Sequence, residues 1–227
     1  MRGKSTKWII GIDEAGRGPL AGPIVVAGIR ISATTSNSKF KTQNAKFRRV
    51  FKGIKDSKKL SPKQREEWYK VLTRHPKIEW AVAKVYPKTI DRINISAAAN
   101  FGAYRIWKKL TGRSGVENEM FQLSSGRVID GTFACRVLLD GSLYLPAGIP
   151  HKTIIKGDEK IPVISAASII AKVTRDRIMF RLHKKYPQYG FDVHKGYGTK
   201  LHRKMVKRFG RTEVHRKSFQ FDPVIQL

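Results

Sequence analysis

Cysteine is almost missing from these 227 residues, with Cys135 standing alone. A single thiol excludes an internal disulfide framework and any Cys-based zinc cluster, and it fits a reducing compartment. Long apolar runs are missing too. Trp8-Ile9-Ile10 and Ile24-Val25-Val26-Ala27 are far too short to span a bilayer. No apolar h-region follows Arg2, Lys4 and Lys7, so no secretory leader is expected. No basic amphipathic segment keeps its large apolar residues on one face, which argues against a membrane surface. The six histidines (His75, His151, His183, His194, His202 and His215) show no HExxH or Cys-His spacing, and none reads as a zinc ligand.

Acid is the other scarcity. There are 17 Asp and Glu against 46 Lys and Arg, a net charge of +29 with a pI near 10.5. Such a chain repels itself unless it meets a polyanion, and nucleic acid is the partner this implies. The excess is concentrated. Residues 39–65 hold 11 basic residues against Asp56 alone, and residues 172–217 hold 15 against Asp176, Asp192 and Glu213. A merely solubilising surface would mix the two signs more evenly.

What is present suffices for one large domain, or one domain with a small appendage. The length fits, and 41% hydrophobic residues can bury a sizeable core. Trp8 to Ile12 predicts a strand that runs directly into Asp13, and the β-branched run Ile24 to Ile31 predicts a second. Ser61-Pro62-Lys63-Gln64 is a capping box, which predicts a helix to about Arg74. Ile78 to Val85 reads as a strand. Ala99, Ala103, Ile106, Trp107 and Leu110 recur at helical spacing and predict a helix over 96–110. Residues 32–55 and 111–131 read as loops, with Asp130-Gly131 a turn.

Two short strands follow, Arg136 to Leu139 and Lys152 to Ile155, ending near Asp140-Gly141 and Gly157-Asp158. A long helix over 161–185 is small or apolar on all sides in its first half, and so should be buried. Gly190 to Gly198 reads as a glycine-rich loop, and Lys200 to Phe209 as a basic helix. Strands first and alternating elements later predict an α/β core with a C-terminal helical segment.

Against this scarcity of acid, carboxylates at strand ends stand out. Asp13 and Glu14 follow an apolar strand, and Asp140 and Asp158 end two others. Carboxylates gathered at one sheet edge can bind hard divalent cations through oxygen. Neighbours in a regular strand point to opposite faces, so Asp13 and Glu14 can share a site only where the strand stops. The glycines after them predict that it stops there. Two functions remain open on these grounds: a metal-dependent nucleic-acid enzyme, or a non-catalytic basic nucleic-acid-binding protein. A pure binder has no use for an acidic pair facing a polyanion.

Gly11-Ile12-Asp13-Glu14-Ala15-Gly16-Arg17-Gly18-Pro19-Leu20-Ala21-Gly22-Pro23 resembles the signature of ribonuclease HII, the type 2 ribonuclease H family. The resemblance continues in order along the chain. Its further blocks are Asp56-Ser57-Lys58-Lys59-Leu60-Ser61, Leu139-Asp140-Gly141, Ile155-Lys156-Gly157-Asp158, Ile164 to Asp176, and His194-Lys195-Gly196-Tyr197-Gly198-Thr199 with His202. Several long blocks in the right order are far more specific than a short glycine pattern. Residues 32–55 are longer and more basic than the family pattern implies. The Gly16-Arg17-Gly18 block with Tyr197 favours this family over the sister ribonuclease HIII and over integrase-like enzymes of the same broad fold.

The resemblance implies a ribonuclease H-like mixed β-sheet flanked by helices. Residues 1–186 would form the catalytic domain, and 187–227 a helical extension packed on it. It implies that Asp13, Glu14, Asp140 and Asp158 are both catalytic residues and metal ligands, holding two Mg²⁺ or Mn²⁺ ions about 3.5–4 Å apart. The implied substrates are RNA–DNA hybrids and duplex DNA with embedded ribonucleotides, and the implied setting is a cytoplasmic monomer. Gly16, Arg17 and Gly18 would read the ribonucleotide, with Tyr197 packing on the neighbouring sugar. Lys58 and Lys59 would meet phosphates, as would Lys200, Arg203, Lys204, Lys207 and Arg208. His194 and His202 flank the Tyr197 loop and could shape it. Asp176 matches a family block, but its setting between Arg175 and Arg177 reads as local ion pairing rather than catalysis.

Overall fold

A computed structural model describes residues 7–33, 50–112 and 135–220. Most of the loops expected over 32–55 and 111–131, and the Asp130-Gly131 turn, lie outside these residues. Five strands form one mixed sheet: β1 (Lys7–Ala15), β2 (Ile24–Ala33), β3 (Glu79–Val85), β4 (Cys135–Asp140) and β5 (His151–Ile154). Their spatial order is β3-β2-β1-β4-β5, with β1 in the centre. β1 runs antiparallel to β2 and parallel to β4. β2–β3 is antiparallel and β4–β5 parallel.

Strand alternation divides the core into two layers. Ile10, Ile12, Ile24, Val26, Val137 and Leu139 face one side, under α3 (Ile95–Thr111). Val25, Ala27, Ile29 and Leu138 face the other, under α5 (Pro162–Lys185). Both faces of the sheet are therefore covered, which is why β2 reads as a continuous apolar run. The first half of α5, Val163 to Ala171, is wholly buried, as its apolar sequence predicts.

The remaining helices serve this frame. α1 (Pro62–Arg74) starts at the complete Ser61–Gln64 capping box. α2 (Pro87–Ile93) precedes α3, and Asn94 separates them with φ 65° while its side chain caps Ala97. α4 (Gly157–Lys160) is a single turn leading into α5. The expected glycine-rich loop over 190–198 is partly helical: α6 (Phe191–His194) follows a 3₁₀ turn at Pro187–Tyr189. α7 (Lys200–Phe209) is the expected basic helix, and His202 and Val206 are its buried residues. Among the described residues no helix is long and apolar enough to cross a membrane.

One expectation about the site is corrected here. β1 does not stop before its acidic pair. Its pairing with β2 continues through Asp13↔Ala27, Glu14↔Val26 and Ala15↔Val25. Strand alternation therefore still governs Asp13 and Glu14, and the two start on opposite faces.

Candidate active site

Asp13 lies on the α5 face of β1, in the same layer as Ala27 of its partner strand. Asp140 ends β4 on that same face, by parity with Leu138. Asp158 arrives from α4, in the turn that enters α5. Three carboxylate oxygens, one from each, lie within 4.8 Å of one another. Asp13 and Asp158 are buried, and Asp140 is half-buried.

The local chain is built to hold them. Asp140 accepts the N–H groups of Gly157 (2.7 Å) and Asp158 (3.2 Å), which ties the two aspartates together through one turn. Lys156 turns the chain with a left-handed φ of 55°. At Gly157 a side chain would stand 3.2 Å from the Asp140 carboxylate and 2.7 Å from Ile164, so glycine permits the approach. Ser165 donates to the Asp158 carbonyl at 2.6 Å and fixes the entry to α5.

Glu14 stands beside this trio rather than in it. On the opposite face of β1 it is held by the Arg17 guanidinium, and its Oε2 is buried without a hydrogen-bond partner. Burial raises the Asp13 carboxyl well above the ordinary range, and the charges of Glu14 and Asp140 add to it. Burial raises Glu14 as well, opposed by Arg17. Burial and Asp158 raise Asp140, opposed by the two N–H groups it accepts. A cluster of hard oxygen donors, crowded with like charge and flanked by an orphaned carboxylate oxygen, fits a divalent cation. Asp13, Asp140 and Asp158 could hold it directly, and Glu14 is outside that group.

The predicted lysines reach the site by way of other contacts. Asp56 caps a 3₁₀ turn at Ser57–Lys59, and Ser57 is joined to Ser168 of α5 at 2.8 Å. Lys58 then donates to Asp158 at 3.1 Å, and Lys59 to Glu159 at 2.9 Å. Lys58 loses some of its affinity for protons to burial, but its bond to Asp158 and the nearby acids more than compensate, so its pKa rises. Asp176 pairs with Lys172 one turn away at 2.8 Å, so local ion pairing holds, though not with the two adjacent arginines.

The Gly16–Gly18 loop follows directly on β1, the strand that carries Asp13. Gly16 has φ +99°, and a side chain there would collide with Arg175, so that position admits glycine alone. Arg17 bridges Glu14 to the carbonyl of Ser142, just past Asp140. Tyr197, 45% exposed, sits with its ring edge 4.0 Å from where a side chain on Gly18 would begin. The expected companions of the loop are thus brought together. His202 donates from Nδ1 to the Tyr197 carbonyl at 2.9 Å, and its ring stacks on His194 at 4.4 Å, so both histidines do shape this loop.

A sequence model for ribonuclease HII matches residues 10–221. The chain belongs to the ribonuclease HII family. Ribonuclease HII of Chlamydia pneumoniae is 40% identical over 219 residues, covering 96% of this chain and 85% of that protein. The ribonuclease H2 of Pyrococcus horikoshii OT3 matches in structure with a TM-score of 0.59 at 26% identity, covering 94% of each chain. Bst-RNase HIII in complex with Mn²⁺ matches with a TM-score of 0.61 at 18% identity, covering 96% of this chain and 68% of that one, and shows the shared fold alone. The expected ribonuclease H-like fold is therefore present, and the enzyme is a metal-dependent ribonuclease H acting on RNA–DNA hybrids rather than a bare binding protein.

Sequence reasoning missed two buried arginines. Arg175 and Arg216 are each 1% exposed and lie beneath the Gly16–Gly18 and Tyr197 loops. A signal existed for Arg175. It shares a helical face with Ala171, Ile178 and Met179, all buried. Arg216 sits in a basic stretch outside any helix, where no periodicity marks burial.

Proposed function

We propose that this ribonuclease HII cuts the RNA strand of hybrids and also nicks duplex DNA on the 5′ side of a single embedded ribonucleotide, leaving 5′-phosphate and 3′-hydroxyl ends. The observation that carries this reading is the exposed Tyr197 ring facing Gly18, in the loop that follows the strand carrying Asp13. A ribose differs from deoxyribose by one hydroxyl, so a reader needs donors at close range. Gly16 and Gly18 let the main chain approach that hydroxyl, and the exposed Tyr197 ring can pack on the adjoining sugar.

Asp13, Glu14, Asp140 and Asp158 would hold two Mg²⁺ or Mn²⁺ ions. The chemistry such ions would supply there is activation of a water near neutral pH and neutralisation of charge on the leaving oxygen. The residues themselves orient and balance. Asp140 is fixed by two N–H bonds, Arg17 restrains Glu14, and Lys58 holds Asp158 until phosphate competes for its ammonium. No side chain need act as nucleophile. We include in the proposal that residues 187–227 form an extension of a catalytic domain over 1–186, and that the enzyme works as a cytoplasmic monomer.

The test is cleavage of duplex DNA carrying one ribonucleotide, with Mg²⁺ or Mn²⁺ and with EDTA. Metal-dependent nicking 5′ of the ribonucleotide is expected. Cleavage of long hybrids alone would remove the junction role of the glycine loop and Tyr197.

A further inference from the structure

The buried arginines under the glycine loop are an unusual expense in a protein so rich in positive charge. Burying a guanidinium is costly unless it is paired and fully bonded. Among the described residues neither Arg175 nor Arg216 forms an ion pair. Every hydrogen bond they make goes to a main-chain carbonyl. Arg175 donates to Pro23 (3.1 Å), Ala21 (3.2 Å) and Lys195 (3.0 Å). Arg216 donates to Gly22 (3.0 Å), Arg17 (2.7 Å) and Gly16 (2.6 Å). Burial, then repulsion from Arg175, pulls Arg216 down to about 9. A fold that needed only a staple here could use a neutral donor.

The bonds of Arg216 have a directional consequence. All described peptide bonds are trans, so the N–H of each residue points opposite to the carbonyl before it. Arg216 draws the carbonyls of Gly16 and Arg17 inward. The N–H groups of Arg17 and Gly18 must therefore face the other way, outward. The burial pattern agrees: Gly16 is buried, Arg17 intermediate and Gly18 exposed. Arg175 supports the other half of the arrangement, with its guanidinium 5.8 Å from the centre of the Tyr197 ring.

We propose that Arg216 is a positioning residue for ribose recognition: by holding the Gly16 and Arg17 carbonyls it presets the Arg17 and Gly18 N–H groups toward the 2′-hydroxyl. This rests on the reading of the loop given under the proposed function. Arg216 itself touches no substrate. Its planar fork holds two adjacent carbonyls from two separate nitrogens in a fixed geometry, which an ammonium, with all its donors on one atom, does not reproduce.

The experiment is equilibrium binding by the full chain in Ca²⁺, using duplex DNA with one ribonucleotide and the same duplex without it. Arg216→Lys keeps the charge but loses the fork. The wild type should prefer the ribonucleotide duplex, and Arg216→Lys should lose about tenfold of that preference while its affinity for the all-DNA duplex is unchanged. A role confined to holding the fold would lower the melting temperature and leave the preference intact, and that outcome overturns the proposal. Should Arg216→Lys not fold, Arg216→Gln, which removes the repulsion with Arg175, is measured in the same way under the same criteria. If the wild type itself shows no preference, the loop reading fails and the role of Arg216 falls with it, whereas a preference kept in Arg216→Lys overturns the role of Arg216 alone.

Discussion

Asp13 lies 3% exposed beside two other carboxylates, and the nearby cations answer its neighbours: Arg17 holds Glu14 and Lys58 holds Asp158. A buried charge so placed is tolerated for function, not for stability. Asp13→Asn should therefore separate the two. Cleavage should fall about a thousandfold or more if, as proposed, Asp13 holds metal. The metal-free protein should meanwhile gain about 1 kcal/mol, or about 2–4 °C in Tm at this size. Added Mn²⁺ should raise the Tm of the wild type and leave that of the variant nearly unchanged. Calorimetry with and without Mn²⁺ decides it, and a less stable metal-free variant would mean that neither burial nor the cluster's repulsion penalises the Asp13 charge in the folded protein. Tyr197 acts at the same scale. Tyr197→Ala should cost about 1–3 kcal/mol of aromatic contact, read as a loss in kcat/KM about tenfold or more greater at a single ribonucleotide than on a long hybrid. Equal losses on the two substrates would remove Tyr197 from junction reading.

At the scale of elements, legibility follows locality. Helix α1 was plain because its capping box and first-turn proline act within four residues. Helix α7 was plain as a basic run from Lys200 to Phe209, and the structure caps it with Thr199 and Gly210. The length of β1 was not, because its last residues are strand only through pairing with β2, a tertiary fact. Brevity hid three elements, the four-residue α4 among them. The seven residues of α2 and four of α6 carry little periodic signal, and Gly190 reads as a loop residue although it opens α6 in the left-handed region. The three aspartates were legible individually, but the separation of Glu14 from them depends on where β1 ends.

The C-terminal histidines are a further element-scale device. Thr212 donates its N–H to His215 Nδ1, so the His215 proton lies on Nε2 and is given to His202 Nε2 at 3.2 Å. His202 in turn donates from Nδ1 to Tyr197. Both rings are neutral, and protonating either places two donors face to face. Burial depresses each to about 4. Below the ordinary histidine value near 6.5 the unfolded chain takes up protons that these rings refuse, so stability falls with pH until about 4. Asp13, Glu14 and Asp140, with raised values, act in the opposite direction over the acid range. Substituting His215→Gln should isolate one ring, flattening the acid limb of urea-unfolding stability by up to about 1.4 kcal/mol per pH unit. An unchanged slope would mean that His215 titrates freely in the folded protein.

For the whole molecule, we predict that phosphate affinity and sugar reading can be separated. Lys204, Lys207 and Arg208 are exposed on α7, while His202 and Val206 face inward. Contacts from such residues to phosphate raise affinity without reading the sugar. Neutralising all three should reduce the magnitude of the log K against log salt slope by up to about 2.7, since each phosphate contact contributes about 0.9. The preference for a ribonucleotide-containing duplex over plain DNA should survive. Arg216→Lys is the converse case, with the salt slope kept and the preference reduced. Binding titrations of both variants over a salt series test the division directly. A slope unchanged in the triple variant would move the phosphate track off α7, and a preference lost together with the slope would mean that phosphate positioning and sugar reading are one surface.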